Sequence, residues 1–169
     1  MRAVGSMMKA GAHAVKLEGI AGNSDTITHI VKSGVPVMGH LGLTPQSVNQ
    51  LGGFRVQGRG DRAAEALREE ALACERAGCF SLVLECVPEE LAAEITASLE
   101  IPTIGIGAGV HTDGQVLVMQ DLLGLSADFQ PKFVRRYLTG RQLWRDAFNA
   151  YTSDVKNGHF PAADESYGQ

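Results

Sequence analysis

The chain has 169 residues, 44% hydrophobic and 20% charged, which suits one globular core and excludes a disordered or fibrous class. Fifteen Lys and Arg against nineteen Asp and Glu leave a net charge of −4, the wrong sign for a sequence-blind polyanion binder, so no nucleic-acid partner is expected. No run approaches the ~18 apolar residues of a membrane span, and Met1–Ala14 lacks the form of a signal peptide; a cytoplasmic protein with no membrane partner is expected.

Glycine, at 20 residues, clusters directly after short apolar runs, where a strand must turn sharply into a helix. Five such runs read as strands: His13–Leu17, Pro36–Gly39, Phe80–Leu84, Pro102–Ile106 and Gln115–Met119. Their continuity, without strict alternation, suits a parallel sheet covered on both faces. Helices are predicted between them. After Gly22, Asp25 caps a helix that turns Ile27, Ile30 and Val31 inward. Thr44-Pro45 opens a shorter helix that Gly52-Gly53 ends. Asp61 through Ala77 carries Ala63, Leu67, Ala71 and Cys74 on one stripe, capped by Asp61 and closed by Gly78. Pro88 opens the next, with Leu91, Ile95 and Leu99 as its buried stripe. Past the last strand, Pro131–Leu138 and Gln142–Asn157 read as two successive terminal helices within one domain spanning residues 1–169. The second carries Leu143, Trp144, Ala147, Phe148, Tyr151 and Val155, a stripe that suits either a subunit contact or packing on its own chain. Lys132, Arg135, Arg136, Arg141 and Arg145 read as the solvated side of these helices.

Parallel βα architectures gather reactive groups at the carboxyl ends of their strands. Lys16 and Glu18 alternate onto one face there, as either an ordinary surface pair or a site. His40, between Gly39 and Leu41-Gly42, satisfies either a loop carbonyl or a ligand. Glu85 is the strongest candidate, because a carboxyl directly after Leu82-Val83-Leu84 is costly to bury without a cation or a proton-transfer role. Cys86 has no basic neighbour in sequence to activate it, and the three cysteines, Cys74, Cys79 and Cys86, read as reduced thiols. The turn Gly105-Ile106-Gly107-Ala108-Gly109 misses the dinucleotide spacing, leaving either a backbone anion site or a plain tight turn. The five histidines show no i, i+4 pairing for zinc, so any metal is expected on oxygen ligands.

The string Lys16-Leu17-Glu18-Gly19, Pro36 through Gln46, Gly52 through Gly58, Leu84 through Pro88 and Ile104 through Gly109 resembles the ketopantoate hydroxymethyltransferase family from end to end. That resemblance implies a TIM-type (β/α)8 barrel of the phosphoenolpyruvate/pyruvate superfamily, of which this chain holds the last five strands and the C-terminal helices. It implies Mg2+ as cofactor, 5,10-methylenetetrahydrofolate as co-substrate, a 2-oxo acid as substrate, and a large homo-oligomer, often a decamer. Carried onto this sequence, Glu85 becomes the catalytic acid/base, Lys16 and His40 the substrate-binding pair, and Glu18 a magnesium ligand. The family continues Lys-x-Glu-Gly-Gly, where this chain has Ile20. A barrel needs eight strands and about 250 residues; three strands, with the magnesium-binding aspartates, are therefore expected before Met1, and little transferase activity from 169 residues alone. Two rivals are a lyase or mutase of the phosphoenolpyruvate type, which would need no folate, and a truncated, inactive assembly module.

Overall fold

The computed structural model describes residues 1–50, 52–126 and 130–168, and these form two compact units, 1–116 and 117–169. The first unit runs α1 (Arg2–Lys9), β1 (Val15–Glu18), α2 (Ser24–Lys32), β2 (Val37–Gly42), α3 (Asp61–Arg76), β3 (Ser81–Glu85), α4 (Glu89–Ser98), β4 (Thr103–Ile106) and β5 (Gly114–Gln115). All neighbouring strands are parallel, and their order in the sheet follows the chain, β1-β2-β3-β4-β5, with no reversal. A doubly wound sheet reverses its strand order; this one does not.

Period-two alternation divides the sheet. Val15, Val37, Leu41, Leu82 and Leu84 join one apolar core with Ile27 and Ile30 of α2, Leu67, Ala71 and Cys74 of α3, and Leu91, Ala92 and Ile95 of α4. The alternating positions on the same strands carry Lys16, Glu18, His40, Val83 and Glu85. Burying the large side chains of the first set, at ~1.5–3 kcal/mol each, holds the layer and leaves the second set to chemistry.

Caps differ in detail from expectation. Asn23, not Asp25, occupies the N-cap of α2, and Asp25 instead sits in the first turn, where the helix dipole favours a carboxylate. Asp61 is likewise the first residue inside α3, with Gly60 at its N-cap. Thr44-Pro45 opens only a single 3-10 turn, Pro45–Ser47; Leu51, in the same predicted helix, lies outside the described residues.

Two predicted elements are corrected. The fifth strand is Gly114–Gln115 rather than Gln115–Met119: it pairs only with Ile104 and Gly105 of β4, and Met119 already begins a short helix, α5 (Met119–Leu122). No helix precedes β5 either: residues 107–113 return directly, and Asp113 anchors the return by accepting from the Thr103 N–H at 2.8 Å and its hydroxyl at 3.1 Å. Those bonds, led by the backbone one, hold the Asp113 carboxyl below its usual range. In the second unit Pro131–Leu138 is not helical. Val134 N–H closes one turn on Pro131 O, whereas Tyr137 N–H donates to Leu122 O and, beyond the segment, Gly140 N–H donates to Leu123 O. The final helix, α6, spans Gly140–Asn157 and ends on a left-handed Gly158.

Candidate active site

The register places Glu18 of β1 beside His40 of β2, and Gly42 beside Glu85 of β3, so three strand ends present side chains to one spot. His40 lies at the centre and is 1% exposed. Its Nδ1 stands 3.1 Å from Lys16 Nζ, and its Nε2 stands 3.1 Å from Glu85 Oε2. Lys16, His40 and Glu85 therefore form one connected line.

The chemistry of the donors fixes the imidazole. An ammonium has donors only, so Nδ1 accepts from Lys16 and the ring proton resides on Nε2. That Nε2–H is buried, close to Glu85, and yet not aligned for a hydrogen bond with it, so it has no partner. A buried, unpaired donor is costly and is satisfied by an incoming acceptor.

Glu18 closes the group from the side. Its Oε2 accepts the backbone N–H of Gln46 at 2.9 Å, while its Oε1 lies 3.9 Å from both Lys16 Nζ and His40 Nδ1. Sequence reasoning missed Gln46 as a partner, since a backbone donor leaves no residue-type signal. Glu18 also lines a neighbouring cavity of about 480 Å³ that extends past Gly42, Thr44 and Gln57 to Leu67 and Glu70, whose carboxyl burial pushes up.

The remaining candidates separate from this group. Cys86 adopts φ +52, an uncommon conformation for a residue with a β-carbon, while its N–H donates to Ile106 O and its carbonyl accepts from Gln57 N–H. Burial and the Glu85 charge push its thiol up, which disfavours the nucleophilic thiolate. The Gly105–Gly109 turn is shaped by packing: a β-carbon on Gly109 would fall 2.4 Å from Glu89 Cγ. Among the described residues no three His, Cys, Asp or Glu side chains gather as a metal site, and no helix is long and apolar enough to cross a membrane.

Comparison with known proteins settles the relationship. Residues 1–163 match the family model of ketopantoate hydroxymethyltransferase. The chain belongs to that family. The 3-methyl-2-oxobutanoate hydroxymethyltransferase of Bdellovibrio bacteriovorus is 63% identical over 167 residues, covering 99% of this chain and 64% of its own length. The enzymes of the same name from Francisella tularensis subsp. novicida and Legionella pneumophila are 57% and 54% identical, over 99% and 95% of this chain. This ketopantoate hydroxymethyltransferase family member thus spans about 63% of the length of the curated relatives it matches. The family has the TIM-barrel fold of the phosphoenolpyruvate/pyruvate superfamily, and the five parallel strands in chain order are part of it.

Proposed function

We propose that this chain carries the enolate-forming machinery of a hydroxymethyltransferase that moves a one-carbon unit from 5,10-methylenetetrahydrofolate to 3-methyl-2-oxobutanoate, giving 2-dehydropantoate in the cytoplasm. The observation that carries the reading is the buried, unpartnered His40 Nε2–H between a cation and a carboxylate. Glu85 takes the C3 proton. As charge moves onto the 2-oxo oxygen, His40 Nε2–H and the Lys16 ammonium stabilise it, and both are already in place before the reaction begins. The nucleophilic C3 then bonds to the folate-borne carbon. The cavity that Glu18 lines falls within the size range of small-molecule sites and is the candidate place for the second substrate.

Magnesium, which the family resemblance implies, does not fit the described residues alone. Glu18 is one oxygen ligand; its Oε2 already accepts the Gln46 N–H and its Oε1 faces the Lys16 ammonium. Titration of the isolated chain is therefore expected to show no saturable Mg2+ binding at millimolar concentration. The catalytic reading is tested by placing residues 1–163 into the matched segment of the Bdellovibrio bacteriovorus relative. In D2O the chimera should exchange the C3 hydrogen of the keto acid, seen by proton NMR, and form 2-dehydropantoate only when the folate is present. A folded chimera that binds the keto acid without exchange would overturn the assignment, and folate-independent turnover would favour the lyase reading.

We further propose that α6 joins copies of the chain into a homo-oligomer. Leu143, Trp144, Phe148, Tyr151 and Val155 form a continuous stripe, and all are exposed, with Phe148 at 68%. Such a surface is costly in water and suits a second identical stripe. Light scattering should find a multimer that Trp144→Glu with Phe148→Glu reduces to a monomer; a monomeric wild type would remove the proposal.

A further inference from the structure

Helix α3 ends in a turn that brings two thiols together. Gly78, at φ +91, donates its N–H to Glu75 O at 2.9 Å, and Cys79 N–H reaches back to Cys74 O at 3.1 Å. This is the Schellman pattern, in which the side chains before and after the turn pack on each other. Here both of those side chains are cysteines, 1% and 3% exposed and packed in the same apolar core. Cys79 follows the exposed Gly78 and precedes the exposed Phe80, while Cys74 is a buried residue of α3.

We propose that Cys74 and Cys79 form an oxidisable dithiol that closes to an intrachain disulfide when hydrogen peroxide reaches the end of α3. The Cys79 thiolate attacks the peroxide, the O–O bond breaks, and Cys79 becomes a sulfenic acid as one water leaves. Cys74 sulfur then attacks Cys79 sulfur, the S–O bond breaks, and the oxygen departs with the remaining proton as a second water. Two thiols and one peroxide give one disulfide and two waters.

The environment favours that order of events. Cys79 stands in the turn between the exposed Gly78 and Phe80 while Cys74 lies on the buried face of α3, so peroxide meets Cys79 first, and the neighbouring thiol holds the Cys79 pKa down as it pushes that of Cys74 up. Cys86 cannot substitute, since β3 separates it from Cys79 by roughly 20 Å of extended chain. The pair also touches the catalytic strand: Cys74 Sγ lies 3.2 Å from where a β-carbon on Gly39 would sit, one residue before His40.

The test is peptide mapping of the folded protein after hydrogen peroxide, with free thiols alkylated and trypsin digestion without reductant. Cleavage at Arg76 separates Cys74 from Cys79, so the expected product is Glu69–Arg76 linked to Ala77–Lys132, with a loss of two hydrogens and Cys86 alkylated. Cys86→Ser should retain the link and Cys79→Ser should lose it. Fragmentation of the wild-type peptides assigns the sulfurs even if a variant fails to fold. Three alkylated cysteines after peroxide, a link through Cys86, or a link formed only in urea would each overturn the proposal.

Discussion

Glu85→Gln is expected to lower C3 hydrogen exchange of 3-methyl-2-oxobutanoate by a factor of about 10²–10⁴, the usual contribution of a positioned general base. The substitution preserves size and shape but replaces a basic carboxylate with an amide that cannot accept a proton. Its carbonyl oxygen can still face His40 Nε2, which stands 3.1 Å from Glu85 Oε2, so the imidazole keeps its neighbour. Keto-acid affinity should consequently change far less than the exchange rate. Measured in the chimera by NMR, exchange within a few-fold of the unmodified protein would show that another group removes the proton, while equal loss of binding and exchange would assign Glu85 to substrate holding. Either result would separate the role of the carboxylate from that of the Lys16–His40 pair.

Gly42→Ala is expected to destabilise the fold by roughly 2–5 kcal/mol. Gly42 closes β2 at φ +88, where a β-carbon would lie 2.2 Å from the carbonyl oxygen of Glu85 and 2.8 Å from Val87 Cγ2. Left-handed backbone costs an alanine about 1–2 kcal/mol and forced overpacking about 1–3 kcal/mol more. The Glu85 carbonyl cannot simply retreat, because it accepts the Leu43 N–H at 2.8 Å and so ties the ends of β2 and β3 together. Urea titration should shift the unfolding midpoint down at constant slope. Gly5, helical and with open space where its β-carbon would be, serves as the control, for which alanine should be neutral or stabilising. An unmoved midpoint for Gly42→Ala would contradict the close approach of the two strand ends.

The residues that make these strand ends were readable in advance because two requirements coincide in them. Leu82-Val83-Leu84 had to be a buried strand by its apolar continuity, and Glu85 directly after it could not be apolar filler; register then placed Glu85 two positions beyond Val83, which faces His40. Lys16 and Glu18 were legible by alternation alone. The connection between them was not: the imidazole's bond to Lys16 crosses 24 residues and depends on which strands are neighbours. The failures have equally local causes. Gln115–Met119 looks like a buried strand, yet Val116 and Val118 are nearly half exposed and have only a four-residue neighbour to extend along. Pro131–Leu138 carries a helix-like apolar spacing, but its segment and the residues just after it bond to the carbonyls that close α5. Helix α1 escaped notice because Gly5 interrupts it and only Val4 is buried on it.

The division of each strand into an oily side and a reactive side binds the two properties together. Sliding β2 along its neighbours by a single position would exchange Leu41 for His40, driving an imidazole among Leu82, Leu84 and the helices while a leucine entered the candidate site. Folding to the wrong alignment is thus penalised in the interior before any substrate arrives. The same packing that stabilises the molecule proofreads the position of Lys16, His40 and Glu85.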